Sequence, residues 1–200
     1  MAPKLFGEVF IAETPATDPK TLIGRVVDVN LADISNQQSR FFVKLQFRVV
    51  SVNGKNANTE FAGYSVIREQ VARFVRKRSQ KVELVLPLVT KDGWELQATA
   101  VAVMARKNKT EIERSVRASM AKELAAAVKK ETMDDLVKSV VTGGLQMEIK
   151  RLGNKVYPLK YFDIAKIEVH GAPWMSAVKT VKEAVPTEAV AQPAEPAATA

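Results

Sequence analysis

Residues 41–52 alternate strictly: Val43, Leu45, Phe47 and Val49 fall on one side, and Phe42, Lys44, Gln46 and Arg48 on the other. A period of two is the pattern of a strand with one buried face. Asn53-Gly54 follows at once. This dipeptide tolerates the positive φ angles that a two-residue hairpin turn demands, and it is the strongest short hairpin signal in the chain. The strand must therefore double back, and its return is expected over 55–61.

The same reasoning finds further strands. Residues 22–34 alternate, with Val27, Val29 and Leu31 inward and Asp28 and Asn30 outward. Residues 81–89 place Val82, Leu84 and Leu86 inward, and Lys91-Asp92-Gly93 then turns the chain into a partner strand over 94–104. Residues 161–169 predict a last strand. The polar run Ser35-Asn36-Gln37-Gln38-Ser39 is a turn. Helical spacing appears in three places. Over 68–78, Ile67, Val71, Phe74 and Val75 share one side, with Ser65 as N-cap. Thr110-Glu111-Ile112-Glu113 is a capping box. It opens a helix to about residue 130, along which Ile112, Val116, Met120, Leu124 and Val128 recur every fourth position. Thr132 caps a shorter helix that Gly143-Gly144 stops, and a further helix is expected over 145–152. Hairpins followed by helices predict an α+β fold, with a curved antiparallel β-sheet or β-barrel core and helices packed alongside. Residues 1–20, with Pro3, Pro15 and Pro19, form an extended N-terminal lead-in, 21–170 the folded domain, and 171–200 a disordered Ala/Pro-rich tail.

Charge is unevenly spread. The 200 residues carry a net charge of +8. Residues 68–130 alone hold 15 Lys/Arg against 7 Asp/Glu, while 1–67 hold 7 against 6 and 131–170 hold 6 against 6. A chain that is basic only for solubility has no reason to concentrate its charge in one third. Two clusters carry it. Arg68, Arg73, Arg76, Lys77, Arg78 and Lys81 form the first, with five cations between Arg73 and Lys81 and no acid among them. Complementing a helix dipole explains one or two of these, not five. Arg106, Lys107 and Lys109 form the second, continued by Arg114 and Arg117.

Catalytic patterns are missing. There is no cysteine and a single histidine, His170, which removes disulfides, thiolate metal sites and most His-based triads. Gly143-Gly144 and Gly153-Asn154-Lys155 do not fit a phosphate-cradling loop. Asp134-Asp135 at the start of a helix is what the dipole alone favours, and adjacent residues point about 100° apart. No nucleophile elbow or HExxH occurs. The expectation is no enzyme, no metal, no cofactor and no small-molecule substrate. No apolar run is long enough to span a membrane and no signal pattern opens the chain, so no membrane association and a cytoplasmic location are expected.

Binding remains. Guanidinium forks match phosphate oxygens bidentately, and neutralising phosphates releases counterions. Aromatics are sparse: Phe74 lies on an apolar stripe, and Phe42 reads better as a core residue than as a stacking platform. Recognition of backbone and shape in folded RNA is therefore expected, rather than stacking on single strands.

The order of motifs resembles the S-three-a-e (eukaryotic-type S-one) family of archaeal and eukaryotic small-subunit ribosomal proteins. The matching segments are Leu5-Phe6-Gly7, Glu13-Thr14-Pro15-Ala16, Leu22-Ile23-Gly24-Arg25-Val26-Val27, Phe61-Ala62-Gly63, Val75-Arg76-Lys77-Arg78-Ser79-Gln80-Lys81, Thr90-Lys91-Asp92-Gly93-Trp94, Arg114-Ser115-Val116-Arg117 and Tyr157-Pro158-Leu159. They are colinear over residues 3–169, and the compact form looks archaeal. The resemblance implies a structural constituent of the small ribosomal subunit with a barrel-like core. It implies a place on the platform near the messenger exit, bound to ribosomal RNA and to neighbouring platform proteins. By matching motif it carries RNA contact to Arg68, Arg73, Arg76, Lys77, Arg78, Lys81, Arg114 and Arg117, with Arg106, Lys107 and Lys109 in a segment the family keeps basic. Two departures stand out. The basic extension usual ahead of Leu5-Phe6-Gly7 is almost missing, so its contacts are lost or the true start lies upstream. Gln97 and Thr99 also stand where more basic character is usual, which puts RNA contact by that strand in doubt. The same basic face would equally suit a free regulator of translation or RNA processing.

Overall fold

A computed structural model describes residues 1–35, 40–54 and 56–171. Its centre is one six-stranded sheet. The strands are β1 (Val26–Asn30), β2 (Val43–Asn53), β3 (Asn56–Val66), β4 (Gln80–Val89), β5 (Glu95–Met104) and β6 (Leu159–Gly171). They lie in the order β1-β2-β3-β6-β5-β4, and every neighbour pair is antiparallel. Five helices accompany them: α1 (Leu31–Ser35), α2 (Arg68–Phe74), α3 (Thr110–Val128), α4 (Met133–Thr142) and α5 (Gly144–Gly153). The expected α+β class holds, with the sheet open rather than closed into a barrel. At one edge, β4 contains Pro87, which has no amide to offer another strand. Arg117 Nε from α3 donates to the Glu83 carbonyl of the same strand at 3.3 Å, occupying an acceptor that a seventh strand would need.

Both expected hairpins form. In β2, Val43, Leu45, Phe47 and Val49 are all buried, as alternation requires. The returning strand β3 runs on to Val66, five residues past its expected end; its expected first residue, Lys55, lies outside the described residues. Strand β6 inserts between β3 and β5 and so joins the two hairpins into one sheet. Register shifts interrupt the β2–β3 and β5–β6 ladders, and each such bulge bends and twists its strand. Gly63 sits at one tight crossing. A Cβ there would lie 2.8 Å from Gln46 Oε1 and 2.9 Å from the Ile167 carbonyl oxygen, so only glycine lets β2 and β6 approach β3 this closely.

The long helix is as its spacing predicts. Val116, Met120, Leu124 and Val128 are buried, and α3 packs on β4 and α5. Its start is not a capping box. Thr110 is already helical, Lys109 is the N-cap with no side-chain bond, and Glu113 is engaged elsewhere, by Gln80 and Arg117. The Thr132 cap does form: its Oγ1 accepts from Asp135 N–H at 3.4 Å. A second cap comes from far away, because Asp92 Oδ2 in the β4–β5 turn accepts from Met133 N–H at 2.9 Å. Gly143 ends α4 at φ +81, in the left-handed region that favours glycine. The Arg40 guanidinium closes the same helix end by donating to the carbonyls of Val141 and Thr142.

Three local expectations fail for identifiable reasons. The strand expected over 22–34 shrinks to Val26–Asn30, because Pro19–Leu22 forms a 3-10 turn and Leu31 begins α1 while staying fully buried. Ser65 is no helix cap. It belongs to β3, paired with Lys44 on one side and Lys166 on the other, and Ile67 takes the N-cap position. The basic helix stops at Phe74 because Val75 turns extended, at φ −84 and ψ 104. The start of the lead-in lies against the sheet: Phe6 meets Phe47 edge-on at 5.5 Å, and the Met1 amine donates to the Ala57 carbonyl at 3.0 Å. Most of the polar turn expected at 35–39, and the tail from 172 onward, lie outside the described residues.

Candidate nucleic-acid interface

The two basic clusters are distant in sequence but leave the sheet at one place. Gln80 and Met104 pair at the open end of the β4–β5 ladder, opposite the end that the Lys91-Asp92-Gly93 turn closes. The chain enters β4 out of the first cluster and leaves β5 into the second. Gln80 ties the two together. Its Oε1 accepts from Asn108 N–H at 3.0 Å, and its Nε2 donates to Glu113 Oε2 at 2.8 Å. Glu113 also accepts from Arg117, four residues along α3, at 2.7 Å. One glutamine thus pins the loop carrying Arg106, Lys107 and Lys109 to the first turn of α3, beside the entry to β4.

The first cluster is held differently. Helix α2 has seven residues and buries only Val71. Its last residue, Phe74, stacks face to face on Tyr161 of β6, with ring centroids 3.8 Å apart and planes 9° from parallel. Tyr161 O–H donates to Asp163 Oδ2 at 2.5 Å, and Asp163 Oδ1 accepts from Ile164 N–H at 2.8 Å. Burial pushes the Asp163 carboxyl above its ordinary range. Burial, and then the bond to Asp163, push the Tyr161 phenol up as well, so it stays a neutral donor. Past this anchor, residues 76–79 form a tight turn. Ser79 N–H donates to the Arg76 carbonyl at 3.0 Å, and Ser79 Oγ accepts from Arg76 N–H at 2.8 Å. Arg78, third in the turn, has φ +72, as a type II turn requires there and as glycine normally supplies. Holding an arginine in the left-handed region costs about 1–2 kcal/mol.

Arg68, Arg73, Arg76, Lys77, Arg78, Arg106, Lys107, Lys109 and Arg114 are exposed, and none of the nine forms an ion pair among the described residues. Arg73 donates to Gln70 at 3.3 Å. The other two candidates are paired: Lys81 with Glu83, and the half-buried Arg117 with Glu113. Arg117 also braces β4 through the Glu83 carbonyl, so its guanidinium is committed to the fold. Only Arg68 and Arg73 lie on α2. Arg76, Lys77 and Arg78 belong to the turn, so the helix expected over 68–78 is replaced by a shorter helix followed by an exposed turn.

Beside α2 runs a groove of about 800 Å3, lined among others by Arg68, Val71, Val75, Lys81, Thr99 and Lys166. Lys166, ion-paired with Glu168, is a cation beside this groove that sequence reasoning missed. Its place depends on the β6 register, which sets it between Ser65 of β3 and Thr99 of β5. Lys44 stands beyond Ser65 on β2. Phe42 is half-buried against the core, in keeping with the core reading. His170 meets Gln97 at 2.9 Å, in the open. Among the described residues no three His, Asp or Glu side chains gather as a metal would need, and no helix is long and apolar enough to cross a membrane.

The arrangement suits phosphate. Unpaired guanidinium and ammonium groups on two adjacent loops present donors at several points of a surface, and the forked arginines match pairs of phosphate oxygens. Sequence comparison finds relatives of this chain. The chain is 36% identical over 177 residues to "Small ribosomal subunit protein eS1" of Aeropyrum pernix, covering 86% of this chain and 83% of that protein. Its counterpart in Methanothermobacter thermautotrophicus is 34% identical over 168 residues, 84% of this chain and 86% of that one. That of Desulfurococcus amylolyticus is 32% identical over 169 residues, 84% and 79% respectively. Residues 1–173 match the sequence model of the Ribosomal S3Ae family. With its open antiparallel sheet, its flanking helices and its cationic edge, this chain belongs to the ribosomal S3Ae family.

Proposed function

We propose that this chain is a structural constituent of the small ribosomal subunit that binds ribosomal RNA through the basic edge built by the 75–79 and 105–109 loops. The observation that carries the reading is the convergence of nine exposed, unpaired cations at the open end of one hairpin. Exposed cations without an internal ion pair bring little to folding, and one of them, Arg78, occupies a left-handed backbone position that favours glycine. Both features make sense where an external polyanion supplies the missing charge. The contacts go to sugar–phosphate backbone rather than to bases. The site is the platform near the messenger exit, in company with neighbouring platform proteins, and the chain works in the cytoplasm as part of the ribosome without catalysing a reaction. Residues 21–170 are the RNA-binding domain. Arg68, Arg73, Arg76, Lys77, Arg78, Arg106, Lys107, Lys109 and Arg114 touch phosphate directly, Lys81 does so from the floor of the α2 groove, and Arg117 does so only on its free side.

The test uses the full chain and reconstituted small subunits. Wild-type protein co-sediments with the subunit in one-to-one amount through a high-salt wash. The variant R73E/R76E/K77E/R78E keeps its circular dichroism and melting profile but leaves the subunit. In isolated RNA binding, the slope of log affinity against log salt falls by roughly 0.7–0.9 for each phosphate contact removed. An unchanged salt slope in that variant refutes this face as the RNA contact. Wild-type protein washed off stoichiometric subunits at high salt, while still binding free RNA, points instead to a free regulator.

A further inference from the structure

Away from the basic edge, the sheet carries an apolar groove of about 340 Å3 that the RNA reading does not use. It is floored by Phe61 and Val169 and walled by Ile23, Val50, Trp94 and Gly171. Two of its walls are large aliphatic side chains left open to solvent: Ile23 is 56% exposed and Val50 43%. The Ile23 wall is fixed, because Gly24 N–H donates to the Val49 carbonyl at 2.8 Å. The charged groups at its rim, Arg48 and Glu60, stand directly opposite each other on β2 and β3, so the rim has no net charge to call for a charged ligand. Gly171 is both a wall of this groove and the last described residue, so the chain departs from within it.

The next residues are Ala172-Pro173-Trp174-Met175, ahead of a long run poor in large apolar side chains. Trp174 and Met175 are thus a large apolar pair three and four residues along the chain from a residue that lines an apolar groove. Three residues of extended chain span at most about 11 Å, which keeps Trp174 within reach of the groove and gives it a high effective concentration there. We propose that this groove is the docking site for the chain's own Trp174–Met175 segment, with the indole seated between Ile23, Val50 and Trp94. The groove offers apolar surface and an aromatic neighbour in one place, which is what an indole favours.

The test uses full-length protein with Trp94→Phe, leaving Trp174 as the sole indole. Its emission is expected to be blue-shifted from that of a free peptide of residues 170–180, and acrylamide quenching to be several-fold weaker. Adding Val50→Asp, at an exposed strand position, should return both readings to the peptide's values without unfolding the protein. If W94F disturbs the fold, 5-fluorotryptophan incorporated into otherwise unaltered protein gives each indole its own 19F resonance. The 174 signal should then move to the solvent-exposed position in V50D. Trp174 that is as quenchable as the free peptide overturns the proposal and leaves the groove to a partner protein. Trp174 that is protected but indifferent to V50D also overturns it, since the indole then packs elsewhere.

Discussion

Helices α2 and α3 both deliver arginines to the same end of the β4–β5 hairpin, yet they are secured in opposite ways. Helix α3 has nineteen residues and buries four along one stripe, so its arginines ride on part of the core. Helix α2 has seven residues, buries one and depends on a single aromatic stack, Phe74 on Tyr161. The difference separates a foundation from a tip. Where cations sit on α3, one of them, Arg117, is drawn into bracing the sheet. Where they sit beyond α2, they stay free, at the cost of a strained turn.

Four substitutions probe this contrast. Leu124→Ala on the α3 stripe should cost about 2–5 kcal/mol in stability and take RNA binding down with the fold, as read by urea unfolding. If L124A lost RNA binding with its stability intact, α3 would be no foundation. Phe74→Ala should behave differently. It should cost roughly 1–2 kcal/mol, since the ring is half-buried, while lowering RNA affinity by more than its stability loss explains, because residues 76–79 lose their anchor. Equal RNA affinity in F74A and wild type would dissolve the distinction between tip and anchor. Arg78→Gly sharpens it further. Relief of the left-handed arginine should raise stability by about 1 kcal/mol even as RNA affinity falls, and a drop in both would mean the turn is not strained.

The smallest effect tests the side remote from the cations. Glu131 has its carboxyl pushed up by burial, then by the nearby charges of Asp135 and Glu148. A folded-state pKa above the unfolded value means the unfolded chain gives up its proton first as pH rises, so this group lowers stability at neutral pH and not in acid. Glu131→Gln should therefore raise the melting temperature slightly at pH 7, with the gain fading as pH falls from the raised folded-state value towards the ordinary glutamate range and absent below it. RNA binding should not change.

What could be read from the residues alone was whatever is local. The alternation of 41–52, the Asn53-Gly54 turn, the four-residue stripe of α3 and the Thr132 cap each depend on neighbours a few positions away, and each is present. Both cation clusters were visible as charge density. What escaped notice depends on partners tens of residues distant. Nothing near Gln80 announces that it will bind Asn108 and Glu113. Lys166 reaches the α2 groove only through the pairing of β6 with β3 and β5, and Asp92 caps a helix that starts forty-one residues later. The helix expected across 68–78 ends at Phe74, whose ring stacks on Tyr161, eighty-seven residues on, and Val75 beyond it is extended. Thr110 and Glu113 have the spacing of a capping box, but Glu113 had two better partners.

The insertion of β6 has a consequence for biogenesis. Among the described residues it is the last strand to be synthesised, and it is one of the two central strands in space, so it acts as the closing seam between two hairpins already made. Until residue 171 has emerged, β3 and β5 each present a raw backbone edge, and the nascent chain is two halves without a common centre. Any truncation before residue 159 would leave those halves permanently apart, and it would strand the basic loops on a hairpin with nothing to hold it against the rest.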